Sequence, residues 1–381
     1  MSELATQVFF SPLIRPYLYA KEVEVTDYLY LKQSLKISKS VESNDYSIGV
    51  YTFDDVELVG DNRQGFFNEY DYRSVFSSER DLCKVRITID NKSVFFGLIH
   101  EEATRINFNT GQIRFKILSL DSIFLKTLLR SDVLESGDSV KNAVFKIFTL
   151  SQFSNLISFD INNINPGLNL LLDKISTIAP LNIKEFFDVI LFASNSILWV
   201  ADEKIKICGR DILRAKSARL HQFVEDEIIE VFDYNKGLHR VFNIFNINNT
   251  VVLDNISINR YGPKKKKLDV KFFTQEEKEK IIANALISEF AFPKVELKVK
   301  IPLELGLNVS LLDSISLSLE AKYSLPKGKF LPIVGATTTN DIYSQIPEFY
   351  NDIELNDSCG TVLEIEHETN ECITTLKLRM F

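Results

Sequence analysis

Four histidines, His100, His221, His239 and His367, are the first places to look for chemistry in this chain, and none has a partner at a useful spacing. A metal site needs ligands set as in H-x-H or H-E-x-x-H, where two imidazoles share one face, and no such pattern occurs. Isolated histidines on strands read as hydrogen-bonded polar residues rather than bases. The nucleophile elbow G-x-S-x-G, the phosphate loop and the dinucleotide fingerprint are absent too. Asp54-Asp55 and Glu101-Glu102 are adjacent pairs, which a strand sends to opposite faces. The two carboxylates of a glycoside hydrolase can come from distant positions, so that reaction class stays open. Cys83, Cys208, Cys359 and Cys372 are scattered with no C-x-x-C pair. They read as reduced, packed thiols, with a Cys359–Cys372 bridge across the last hairpin as the alternative. The expectation is a chain with no metal, no cofactor and no enzymatic reaction.

The one dense charge cluster is Lys264, Lys265, Lys266 and Lys267, directly after Tyr261-Gly262-Pro263. It fits a solvated turn before the next strand, or a docking site for an acidic neighbouring subunit whose attraction would fall with salt. The formal net charge is −8, which points away from sequence-independent nucleic-acid binding, since that needs a positive footprint. An acidic surface does suit a channel through which DNA passes without sticking.

These residues sit on a chain of 381 residues, enough for two or three domains. Hydrophobic residues make up 45% of it, including 29 Phe, so large cores can be buried. No apolar run reaches the ~20 residues of a membrane helix. Residues 1–16 lack the basic and apolar regions of a signal peptide, which points away from secretion.

Period-two alternation dominates residues 22–98 and predicts half-buried antiparallel strands, as in Val85, Ile87 and Ile89 against Arg86, Thr88 and Asp90. Leu35 and Ile37 alternate in the same way with Lys36 and Ser38. Hairpin turns are expected at Asp90-Asn91-Lys92 and Asn109-Thr110-Gly111, the second opening Ile113, Phe115 and Ile117. Alternation lapses at Leu118. The period then lengthens: short helices are expected over 123–129, over 139–150 with Val140, Val144, Ile147 and Phe148 on one face, and over 183–192 behind an Asn182 cap. A short hairpin follows, turning at Ala201-Asp202-Glu203.

Strands resume near Ile228. Thr274-Gln275-Glu276-Glu277 reads as a capping box opening a helix with Ile281, Ile282, Ala285 and Leu286 on one face. A regular strand follows, Val295, Leu297, Val299, Ile301 and Leu303, and the chain finishes with a hairpin turning at Glu368-Thr369-Asn370. Residues 323–358 read as a long loop, either an interface element or a mobile one, in which Tyr343, Ile346, Phe349 and Tyr350 fit a helix turn or a contact arm. The fold class expected is mainly β with an α+β insert: a β-barrel over 1–121, a helix-hairpin insert over 122–220, and a second, like-built barrel over 221–381. The subunit interface is assigned to Lys264–Lys267 together with Tyr343, Phe349 and Tyr350.

Several of these segments, in order, resemble a known family. Ser257-Ile258-Asn259-Arg260-Tyr261-Gly262, read as a turn, is followed by 274–286, 293–303 and Leu311-Leu312-Asp313-Ser314-Ile315. This succession resembles the second barrel of phage tail hub proteins, with Leu312 where the family's "GDxV"-like step has Gly. Val56-Glu57-Leu58, Asp61-Asn62 and Gly65-Phe66-Phe67 resemble the "L-x-N-x-x-G-x-F" piece of the first barrel, and Phe95-Phe96-Gly97-Leu98-Ile99 its "F-x-G-x-I" strand. Residues 182–211 are similar to the family's insert, and the likeness runs from about Val25 to Phe381.

The resemblance implies two tube-type barrels per chain, so that a homotrimer presents six barrels to a hexameric tail tube and adapts it to a threefold tip. It implies a structural virion protein of the tail tip, assembled in the host cytoplasm. Its partners would be tube or distal-ring proteins and tip or fibre proteins, with DNA in transit during ejection. No catalytic residue carries over, and no murein-cleaving appendage is expected after Phe381. The alternatives are a hexameric distal tail ring protein, or a glycan-binding or glycan-cleaving tail protein.

Overall fold

The computed structural model describes residues 4–15, 18–31, 35–40, 52–53, 55–68, 74–76, 79–100, 104–119, 133–149, 158–160, 169–173, 183–194, 196–201, 204–209, 220–270, 272–318 and 358–380. Tyr343, Phe349, Tyr350, the predicted helix at 123–129 and the Asn182 cap lie outside these residues.

The chain begins with β1 (Thr6–Arg15), β2 (Leu18–Tyr19), β3 (Val23–Glu24), β4 (Lys36–Ser40), β5 (Thr52–Phe53), β6 (Val56–Asp61), β7 (Glu79–Ile89), β8 (Lys92–Ile99), β9 (Arg105–Asn107) and β10 (Gln112–Leu118). Most of them form one eight-stranded sheet, ordered β2-β1-β7-β8-β10-β6, with β3 on β1 and β9 on β10. Alternation is the cause: Val85, Ile87, Ile113, Phe115 and Ile117 are fully buried on one face. The β7–β8 turn has Asp90 at φ 49° and Asn91 at φ 62°, the two left-handed positions of a tight hairpin that Asp and Asn tolerate. Asn62 and Gly65, the latter at φ 73°, shape the turn that leads into Phe67. The Asn62 side chain accepts the Phe67 N–H at 2.8 Å and turns Phe67 into a ring cluster with Phe10, Phe76 and Phe115.

The sheet is curled, and the chain shows how. From β3, on the β1 side, a 3-10 turn over Thr26–Tyr28 leads to Leu29, which bridges Gly60 of β6 at the opposite edge. Three residues of turn cannot span a flat sheet of this width, so the edges meet.

A middle block holds α1 (Val140–Phe148), β11 (Ser158–Asp160), α2 (Ile183–Ala193), and the hairpin β12 (Ser196–Ala201) and β13 (Lys204–Gly209). Ser139 caps α1 by accepting the Asn142 N–H at 3.1 Å. The predicted stripe of α1, Val140, Val144, Ile147 and Phe148, is buried, and so are Phe186, Phe187, Ile190 and Leu191, spaced at one face of α2.

The remainder contains β14 (Leu220–Val224), β15 (Glu230–Asn235), β16 (Ile244–Ile247), β17 (Thr250–Leu253), α3 (Asn255–Tyr261), β18 (Lys265–Leu268), α4 (Glu276–Phe290), β19 (Glu296–Pro302), α5 (Leu303–Gly306), β20 (Ser314–Ser318), β21 (Ser358–Glu368) and β22 (Ile373–Met380). Its sheet runs β14-β20-β21-β22-β19-β15. The edge strands β14 and β15 are joined by a 3-10 turn at Glu225–Glu227, the closure seen in the first sheet. Counting from that closure, both sheets have the same path. The first runs β3, Leu29, β6, β7, β8, β10 in sequence and the second β14, β15, β19, β20, β21, β22. In space each places the first strand beyond the fourth, then the fifth, sixth, third and second. One difference stands out: β1 intrudes between β7 and β3, whereas β20 pairs directly and in parallel with β14.

Several local expectations are corrected. The Ser257–Gly262 turn is a helix, α3, capped by the Asp254 carboxylate and ended at Gly262, φ 74°. The lysine run is no solvated break. Lys265–Leu268 is a strand parallel to β16 in a separate three-stranded sheet, ordered β17-β16-β18. On α4 the buried face carries Glu279, Ile282, Ala283, Leu286, Glu289 and Phe290, while Ile281 is exposed. The Thr274–Glu277 capping box is not made, because a distant carboxylate occupies that helix end. Asp173 accepts the Thr274 N–H at 2.8 Å and the Gln275 N–H at 3.2 Å. The alternating strand after α4 stops at Pro302, where α5 begins. Cys372 is a free thiol at the β21–β22 turn, and Cys359 lies at the far end of β21. The nine residue steps from Cys359 to Glu368 span about 30 Å at ~3.3 Å each, which rules out the bridge.

Candidate assembly interface

The two barrels are joined by a strand that leaves one and completes the other. Nothing in the sequence of β4 distinguishes it from its neighbours, and its alternation suits any half-buried edge. It pairs antiparallel with β21, in register from Lys36 opposite Glu368 to Ser40 opposite Glu364. The opening exists because β20 is short. It covers Ser358–Thr361 of β21 and ends, and β4 takes up the same side from Glu364 onward.

Leu35 and Ile37 carry the seam into the core, at 5% and 1% exposure. The Leu35 carbonyl accepts the Thr369 N–H at 3.2 Å and its hydroxyl at 3.3 Å. Above this, Lys36 meets Glu366 at 2.8 Å and Glu368 at 3.4 Å. Burying Ile37 is worth roughly 1.5–3 kcal/mol. An ion pair on a lysine half open to solvent adds ~0–1. Apolar burial and backbone bonds therefore hold the seam, and the inward alternation of Leu35 and Ile37 fixes its register.

Opposite Ile37 lies His367, 1% exposed, with Nδ1 2.9 Å from Thr374 Oγ1. Burial pushes its pKa down to about 3, and Lys39 adds to the effect. The hydrogen bond of Lys36 to Glu366 raises the lysine pKa. A second tie joins the β7–β8 turn to the other barrel, Lys92 Nζ donating to Asn308 Oδ1.

Leu312, at the step where the family pattern has Gly, adopts φ +70°. Its side chain is 5% exposed, so core packing offsets the left-handed backbone. The next residue, Asp313, accepts the Ser310 N–H at 2.7 Å and lies 3.0 Å from His221 Nε2, pinning the start of β20 to β14.

A lobe built from two sequence segments stands beside the barrels. Asp173 and Lys278 form an ion pair, Lys278 also reaches the Leu171 carbonyl at 2.8 Å, and Phe186 packs edge-on against Phe272 at 4.9 Å. Burial raises the Asp173 pKa, but Lys278 and the two backbone N–H groups outweigh it and leave the carboxyl below its usual range. A buried ion cluster fastens the lobe to the second barrel. Arg379 of β22 contacts Glu296 at 2.8 Å and Glu289 of α4 at 3.3 Å, and Arg240 contacts Glu296 at 2.8 Å.

Of the predicted interface residues, the structure places the four lysines on the lobe, away from the seam. Lys264 donates to the Leu238 carbonyl at 2.8 Å and Lys266 lies 5.4 Å over the Phe242 ring. Lys265 and Lys267 are exposed on an edge strand, where lysines discourage pairing with other strands. Among the described residues no three metal-ligating side chains come together, and no helix is long and apolar enough to cross a membrane.

Known structures share this architecture over nearly the whole chain. A tail protein from Neisseria meningitidis MC58 matches with a TM-score of 0.56, covering 99% of this chain and 96% of its own at 11% identity. The 43 kDa tail protein of prophage MuSo2 from Shewanella oneidensis gives 0.55, covering 98% and 97% at 9% identity. The fold is that of prophage tail proteins. Prophage tail protein gp18 from Listeria monocytogenes EGD-e shares it as well, with a TM-score of 0.51, 8% identity and coverage of 98% and 94%. No protein-family model matches the sequence, and a search of curated proteins finds no relative of it. The tail-protein fold persists here at identities where sequence comparison is silent.

Proposed function

We propose that this chain is a structural hub of a phage or phage-like tail tip. Three copies surround an axis with two barrels each. The resulting six barrels seat on a hexameric tube or distal ring, close it, and step its symmetry down to the threefold tip or fibre proteins while leaving a bore for DNA. The chain acts by assembly in the virion tail, after folding in the host cytoplasm, and performs no reaction.

One observation carries the reading: a single chain holds two sheets that share one strand path apart from the inserted β1, and one donates a strand to the other. Closed sheets leave few edges open, and a head-to-tail contact repeated by rotation closes a ring. The tail-protein fold supports the same reading. Mass measurement with low-resolution imaging of the purified chain tests it, and a trimeric ring with a central hole is expected. A hexamer would favour the distal-ring alternative, a monomer at high concentration would sink the hub, and hydrolysis of cell-wall glycan lost on mutating a single carboxylate would revive the enzyme class.

A further inference from the structure

The internal duplication sets a rule for which parts of neighbouring barrels touch. In the first barrel, the connection between its second and third strands contains β4. It reaches the connection between the fifth and sixth strands of the second barrel, where Leu35 meets Thr369. The corresponding donor in the second barrel is the segment of the lobe that lies between β15 and β19. The corresponding receiver in the first barrel is the stretch between β8 and β10.

Both parts carry large apolar side chains that are exposed. Phe108, at the tip between β9 and β10, is 88% exposed, more than any other large hydrophobic residue described. On the lobe, Val251 is 54%, Leu253 47% and Ile256 69% exposed. Val251 and Leu253 share one side of β17, and Ile256 follows in the first turn of α3. The two edges of the lobe sheet also differ. β18 is blunted by lysines, whereas β17, Thr-Val-Val-Leu, has no charge to discourage a partner.

We infer that Phe108 of one copy seats on the Val251–Leu253–Ile256 surface of the next copy. The partner is a second copy of this chain because the β4–β21 seam already joins the same two parts of the barrel pair within one copy. The contact is head-to-tail, with the aromatic knob on the first barrel and the apolar surface on the second, so it can propagate around an axis. This rests on the ring reading above and names the surface that closes the ring.

Phe108→Asp and Leu253→Asp test it, with thermal midpoints checking that each variant folds. Sedimentation of the wild type should give the trimer. Each variant should raise the dissociation midpoint by roughly tenfold or more, as expected for a central aromatic or aliphatic anchor. In a Cys372→Ser background, Phe108→Cys with Ile256→Cys should cross-link between copies on oxidation, and either cysteine alone should not. Variants that stay trimeric, with no cross-link, overturn this contact and leave the hub reading standing. A monomeric wild type overturns both.

Discussion

Ile37 stands opposite His367 across the seam, each almost wholly buried, though 330 residues separate them in the chain. This pair sits at the centre of the seam that joins the two barrels. Ile37→Ala should cost about 2–4 kcal/mol, from lost burial plus the hole left behind. Lys36→Ala should cost under ~1 kcal/mol. Chemical denaturation of both variants checks the ratio, and equal losses would mean that charge, not packing, holds the seam.

Acidification should weaken the same place. The His367 pKa is about 3 in the folded chain against an ordinary 6.5, so between these values the unfolded chain binds a proton that the folded chain refuses. Its contribution is fully present above about pH 6.5 and is lost as pH falls toward 3. The melting temperature of His367→Gln should fall less steeply over that window than that of the wild type, since Gln keeps a hydrogen bond to Thr374 without titrating. Parallel curves would count against it.

Arg379 is the hinge pin of the buried ion cluster. Arg379→Met leaves Glu289 to Lys294 and Glu296 to Arg240 and Lys377, so it removes one cation of several and should cost about 1.5–3 kcal/mol. Replacing Glu289 with Gln in the same chain should recover part of that loss. Urea titration of the single and double variants measures the coupling.

Asp173→Ala removes the distant cap of α4 and should cost about 0.5–2 kcal/mol. Its stabilising effect is present above the ordinary carboxylate pKa of 3.8 and disappears as pH falls through its lower folded value. Hydrogen exchange at the first turn of α4 should speed up in the variant and stay unchanged in Glu276→Ala.

Much of this was legible beforehand. The β7–β8 and β21–β22 hairpins, the α1 and α2 stripes and the β19 strand follow from period and turn chemistry, which are local. What stayed hidden depends on distance. Leu35 and Ile37 announced a strand but could not say which sheet it joins. Thr274–Glu277 has every local mark of a capping box, yet Asp173, about a hundred residues earlier, arrives with a full charge and takes the Thr274 and Gln275 N–H groups. The lysine run looked like a break because charge masks a strand with one edge in water. Phe108, the centre of the inferred contact, carries no signal at all, since a lone Phe between two Asn reads as loop.

The strand β1 separates β7 from β3 in one sheet, while β20 and β14 are immediate neighbours in the other. One further strand adds about 4.8 Å of circumference. Any annulus made from this polypeptide therefore alternates wide and narrow staves, and a partner of true sixfold form meets two kinds of seat rather than one. Odd and even positions are distinguishable by girth alone.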